Sequence, residues 1–217
     1  MPDLTFRITG AQAVPFAACP TIAFQIQVAS EAMIHSVALR CQILIEATRR
    51  HYTARERASL CDLFGEPDRW SQTLRPLLWT HAAVTVSEFS GTTGVSVLIP
   101  CTFDFNVSAA KYFYGIEDGE VPLCFQFSGT VFYAAPDGTL QIDQIGWDKE
   151  AKVRLPAKVW SEMMDHYYPN SAWLCLRRDA FERLYEYKRN RGIATWEEAV
   201  ESLVLSGKDA LEKEAVS

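Results

Sequence analysis

The sequence predicts an α+β protein: an antiparallel β-sandwich-like body of about seven strands, with one inserted helix and three C-terminal helices packed on it. Three observations lead there. Apolar and polar residues alternate through most of the first 150 residues. The period becomes helical after about residue 153. No Gly-, Ser- or Pro-rich linker separates the two regions. Residues 1–217 are therefore expected to form a single integrated domain, mainly β over 1–150, mainly α over 153–207, and frayed over 208–217.

The strands follow from the period of two. Leu4, Phe6 and Ile8 suggest a first edge strand. Ile22, Phe24, Ile26 and Val28 mark one apolar face, and Val37, Leu39, Cys41, Ile43 and Ile45 mark another. From Val95 to Val107 every second residue is apolar, a spacing that in a helix would point in every direction. Strands at 77–87, 120–134 and 138–146 complete the set, with Asp137-Gly138 as a hairpin turn and Gly129 as a bulge site. Each strand shows one polar face, so a second sheet is the simplest cover for the other. A single curved sheet backed by helices is the competing arrangement.

The helices carry their own signals. Thr53 and Glu56 form a capping box ahead of Leu60, Cys61 and Phe64, and Gly65 stops that inserted helix. Residues 108–114 are compatible with another short one. Pro156 suits the first turn of a helix whose stripe is Val159, Trp160, Met163, Met164 and Tyr167. Two more run from Asp179 to Gly192 and from Thr195 to Gly207, and Trp173–Leu176 reads as a short strand.

Composition narrows the function. Hydrophobic residues at 48% and charged residues at 22% rule out general disorder. A net charge of −6 disfavours a dedicated nucleic-acid binder, which needs a basic face for phosphates. No apolar run reaches the roughly 18–20 residues of a transmembrane helix, and no secretory leader pattern opens the chain, so a cytoplasmic location is expected. The six cysteines form no CxxC pair, and the four histidines no HxH or HExxH. Cys41 and Cys101 both fall on apolar strand faces, which leaves a bridge between sheets open. GxxxxGK[ST], GxGxxG and GxSxG are absent. No cofactor, metal site or catalytic residue is expected, and the chain reads as a non-enzyme.

Tryptophan and arginine mark candidate contacts with a partner. Trp70, Trp79 and Trp147 lie at strand ends or in loops among polar neighbours, with Arg75 close to two of them. Arg178, Arg183 and Arg189 line a basic helix suited to an acidic protein partner. The plainer reading is edge-of-core tryptophans and a solvated helix face. If the protein instead holds a small ligand or is an enzyme, a pocket between sheet and helices would draw on Arg40, His81, Asp104 and Lys111. A structural homo-oligomer is a third possibility.

Seven segments carry a family resemblance: PDLTF at 2–6, LRCQI at 39–43, FGEPDRW at 64–70, LRPLLWTH at 74–81, PCTFDF at 100–105, FSGTVF at 127–132 and WDKE at 147–150. With them the chain resembles an uncharacterised bacterial family encoded beside oxygen-tolerant, high-affinity [NiFe]-hydrogenases and their maturation factors. That resemblance implies an accessory role in hydrogenase assembly or stabilisation, with a hydrogenase subunit or maturation factor as partner. It supplies no catalytic residues.

Overall fold

Strand β2, Thr21–Ile45, organises the chain: it runs for 25 residues. β1 (Thr5–Ala13) and β4 (Phe89–Pro100) flank its first half, while β3 (Leu77–Val86) and β5 (Glu120–Ala134) flank its second. β6 (Leu140–Gln144) and β7 (Glu150–Pro156) pair with opposite ends of β5. The seven strands form one sheet, antiparallel throughout. The computed structural model describes residues 2–215, and side chains through residue 207.

The large apolar side chains of β2 are buried at even positions from Ile22 to Val28 and at odd positions from Val37 to Ile45. With a side-chain period of two, that change of parity means the strand changes face in between. The register with β4 breaks between Ser30 and Ile34, and that with β5 between Ile34 and Ser36. The two halves serve facing layers. Phe24, in the first half, sets its ring 4.9 Å from Phe125, whose strand pairs with the second half. Phe6 stacks on Phe127 at 4.3 Å in the same sense. One bent strand thus makes a sandwich-like α+β body out of a single sheet.

Several local expectations are corrected. The inserted helix, which ends at Gly65 as expected, is two short pieces, α1 (Ala54–Ser59) and α2 (Cys61–Phe64), with a further short helix, α3 (Trp70–Thr73), after it. Its capping box forms, with Glu56 N donating to Thr53 Oγ1 at 3.1 Å and Thr53 N to Glu56 Oε2 at 2.9 Å. The alternation through Phe103 and Phe105 outlasts its strand, because the chain leaves β4 at Pro100 and enters α4 (Val107–Tyr114). Asn106 governs that entry. Its Oδ1 accepts from Ala109 N at 2.9 Å, and its Nδ2 donates to the Leu78 and Trp79 carbonyls at 3.1 and 2.6 Å. Residues 150–156 are strand β7 rather than a lead-in to a helix, with Glu150, Lys152 and Arg154 exposed and Leu155 buried. α5 (Ala157–Tyr167) follows directly and buries Trp160, Met163 and Met164.

Gly129 makes no register break with β2, where it sits opposite Leu39. The irregularity lies on the other edge of β5, which switches there from β7 to β6. A Cβ at Gly129 would meet the Ala38 carbonyl oxygen at 2.0 Å, and the φ of 134° is open only to glycine.

Two compact units divide the chain, Met1–Ser171 and Ala172–Ser217. All the strands and α1 to α5 belong to the first. The second is a helical hairpin of α6 (Arg178–Asn190) and α7 (Trp196–Ala215). Phe181, Tyr185 and Trp196 cluster between them, and Tyr187 and Ser202 share a hydroxyl hydrogen bond of 2.8 Å. α6 ends as expected at Gly192, with φ of 64°. Thr195 Oγ1 accepts from Glu198 N at 3.2 Å, and α7 runs through Gly207 rather than stopping there. Trp173–Leu176 is not a strand. Of the stretch 208–217 expected to fray, 208–215 fall within α7, and 216 and 217 lie outside the described residues.

Candidate functional site

An opening in the first unit lies between the end of β1 and helix α5. It is a cleft of about 400 Å³. One wall is Ala11 to Phe16; the other is one face of α5, where Val159, Met163 and Tyr167 recur four apart. Gln12, Glu162 and His166 supply its polar side chains. Two hydrogen bonds fix the loop: Val14 N donates to the Thr21 carbonyl at 2.8 Å, and Tyr167 Oη donates to the Ala17 carbonyl at 2.8 Å.

Phe16 stands in this loop with 94% of its surface exposed and φ of 57°. Both properties are unfavourable. The left-handed region costs a bulky residue on the order of 1–3 kcal/mol, and the exposed ring gains nothing from burial. Costs of this kind cluster at binding sites, where the surrounding structure holds them in place. The cleft offers an apolar trough and an aromatic side chain beside it, an arrangement that takes up an apolar group. A smaller cavity of about 150 Å³ lies between α4 and α5, with Phe103, Phe113, Trp160 and Tyr168 on its walls.

The tryptophan candidates separate. Trp79 is core: 3% exposed, it packs against Phe113 at 4.9 Å and Phe24 at 6.0 Å. The reason is a bulge, since Ile43 pairs with Thr80 and Leu44 with Leu78, leaving Trp79 as the extra residue turned inward. Trp70 is half-buried, with Nε1 donating to the Gly65 carbonyl at 2.9 Å and its ring edge-on to Tyr52 and Phe64. Trp147 alone of these three is fully at the surface, at 96% exposed, on the loop where β5 changes partners. Arg75 is exposed in the first unit, and Arg178, Arg183 and Arg189 in the second, with Arg183 paired to Asp179 at 3.3 Å. Those residues are thus divided between the two units.

The four residues proposed for a pocket are not brought together in either cavity. Arg40 is exposed on β2, and His81 Nε2 lies 3.2 Å from Gln42 Oε1 across the outer face of β2 and β3. Asp104 is exposed in the turn before α4, and Lys111 pairs with Asp62 at 3.2 Å. Sequence reasoning missed the cleft because one wall is an irregular loop, although α5's stripe already contained Val159, Met163 and Tyr167.

The buried ionic chemistry is structural. Tyr52 and Tyr112 share a hydroxyl hydrogen bond of 2.8 Å beside the Arg50–Glu56 pair, and burial pushes both phenols above their ordinary range. All six cysteines are free thiols, so Cys41 and Cys101 are not bridged. Among the described residues no three His, Cys, Asp or Glu side chains converge as metal ligands would. No helix among them is long and apolar enough to cross a membrane.

Comparison with known proteins adds a family. No curated protein matches the sequence. Among solved structures, the putative ApaA protein of Bordetella pertussis is 12% identical over 71% of this chain and 93% of its own, with a TM-score of 0.29. A putative late embryogenesis abundant protein is 12% identical over 72% of each chain, with a TM-score of 0.32. The β-glucosidase of Kluyveromyces marxianus is 10% identical over 71% of this chain but only 15% of its own, with a TM-score of 0.26. At such scores none of them bears on fold or activity. The profile of a family of unknown function, DUF6084, matches residues 1–212, and the chain belongs to that family.

Proposed function

We propose that the protein is a non-catalytic binding protein that takes up an apolar segment of another protein in the cleft between β1 and α5. The observation that carries this reading is Phe16, held exposed in an unfavourable backbone conformation beside an apolar trough. Burial of its ring by a partner would return the free energy that the isolated chain forgoes. Glu162, His166 and Gln12 would set orientation, since polar groups in such sites contribute specificity more than strength. The resemblance of the sequence to a family encoded beside [NiFe]-hydrogenases points to a hydrogenase subunit or maturation intermediate as the client, in the cytoplasm.

The test is capture. Tagged full-length protein, recovered from hydrogen-oxidising cells, should enrich hydrogenase subunits or maturation factors, and Phe16→Ala should lose them at unchanged expression. Equal capture by the variant would remove the cleft from the proposal. No enrichment of any hydrogenase protein would remove the client.

A second reading rests on the cleft's volume, about 400 Å³, which lies within the range of small-molecule sites. It proposes a small-ligand carrier. Stabilisation by apolar ligands in a thermal-shift screen, lost in Phe16→Ala, would favour it over the protein client.

A further inference from the structure

The sheet leaves one long edge open. β4 pairs with β2 alone, and among the described residues no backbone hydrogen bond reaches its other side. It is twelve residues long, FSGTTGVSVLIP, without a single charged side chain. Folded proteins seldom tolerate such an edge, because its free N–H and C=O groups template pairing with another chain.

The other edges are blunted in the usual ways. On β3, the Leu78 and Trp79 carbonyls are taken by Asn106. β7 carries Glu150, Lys152 and Arg154 on its exposed positions. β6 is only five residues long and includes Asp143. β1 carries Arg7, and its end faces α5 across the cleft. β4 has such devices only at its ends, a register break opposite Phe89–Gly91 and Pro100 at the last position, so residues 92–99 carry none.

We propose that β4 pairs antiparallel with β4 of a second copy of this chain, about a two-fold axis. Neutrality selects this occupant. In a two-fold pair centred near the strand's midpoint, at Gly94–Ser96, the positions beside the axis face their own copies, so a charge there would meet a like charge. A client strand imposes no such restriction, because a charge here could be met by its opposite there. Thr92, Gly94 and Ser96 are small and exposed, and Leu98 is the one large side chain exposed beside them on the outer face. Val95, Val97 and Ile99 turn inward, so the apolar layer would continue across the seam. Each copy carries a net charge of −6, so long-range repulsion opposes association and added salt should tighten it. This surface is separate from the cleft and independent of the client.

The experiment is sedimentation equilibrium on the full-length protein. The expected particle has twice the 24.5 kDa chain mass, with dissociation weakened by salt. Ser96→Lys and Ser96→Glu should each raise the dissociation constant at least tenfold, and an equimolar mixture of the two should restore it. A monomeric wild-type protein at tens of micromolar overturns the proposal. So do variants that dimerise as tightly as the wild type. Should either variant misfold by circular dichroism, hydrogen exchange on the unaltered protein decides. Amides within residues 90–99 should gain protection with concentration. Protection that ignores concentration, or arises only with an added peptide strand, overturns the self-pairing.

Discussion

Arg50 grips the carboxylate of Glu56 with two N–H bonds, of 2.8 and 2.9 Å, and the Glu56 side chain is only 2% exposed. The same carboxylate accepts from the backbone N–H of Thr53 and of Glu117, at 2.9 and 3.1 Å. Arg50 also donates to the carbonyls of His51, Asp118 and Glu120. The pair thus ties the helix after β2 to the acidic turn before β5. Burial raises the Glu56 carboxyl, but the Arg50 bonds and the two backbone N–H groups outweigh it and hold it below the usual carboxylate range.

Removing one partner strands the other. Glu56→Gln is expected to cost about 3–5 kcal/mol in urea unfolding at neutral pH. Because the carboxyl is depressed in the folded state, its contribution is complete above an unfolded value of about 4.3 and fades as pH falls through the folded one. The gap between wild type and variant should therefore be widest near neutrality and close in acid. A gap constant down to pH 2 would contradict the assignment.

Gly129→Ala should be among the most damaging single substitutions. It adds a methyl group 2.0 Å from a backbone oxygen, at a φ of 134° that L-residues avoid. A loss of more than about 3 kcal/mol is expected, read as a lowered urea midpoint or as insoluble product.

Asn106 does two separable jobs. Asn106→Asp keeps the acceptor that caps α4 but removes the donors to Leu78 and Trp79, whereas Asn106→Ala removes both. The alanine variant should lose about 2–3 kcal/mol and the aspartate variant more, because its second carboxylate oxygen would face the two carbonyls that Nδ2 now serves. Thermal unfolding of the two side by side checks the order.

Phe16→Gly should raise stability while abolishing client capture. Glycine accepts a φ of 57° without strain, so a gain of about 1 kcal/mol is expected. A variant that is both less stable and fully active in capture would show that Phe16 serves the fold.

Thiol reactivity should follow burial. Cys175 is exposed, whereas burial pushes the Cys41 and Cys101 thiols up to about 12. A thiol reagent at pH 8 should modify Cys175 at once and leave Cys41 and Cys101 until urea unfolds the first unit. Mass spectrometry of digested samples distinguishes the sites.

Alternation in the sequence was a good guide wherever one face of a strand meets water. It located β1, β3, β5 and both halves of β2, because apolar residues recur at every second position through much of each. It failed to join the halves of β2, since residues 29–36, ASEAMIHS, carry the change of face and so lose the period. It also missed β7, where the small Ala151 and a neighbouring helix signal hide a strand between charged residues. Trp79 escaped for a related reason: a bulge is set by the partner strand, so its inward turn is not written in its own neighbours. The cleft was half legible. Helical periodicity marks the α5 wall, but the opposite wall depends on the φ of one loop residue, and Phe has no propensity for that conformation.

The shared strand also has a consequence for synthesis. Val37 pairs with Val131, and Ile45 with Leu123, so the second half of β2 leaves the ribosome long before its β5 partner exists. At about 5–20 residues per second, its edge toward β5 stays unpaired for on the order of 5–20 s. During that interval the nascent chain is a target for chaperones and for wrong pairings. Expression yield should thus respond to translation speed between residues 45 and 131 more than to speed elsewhere.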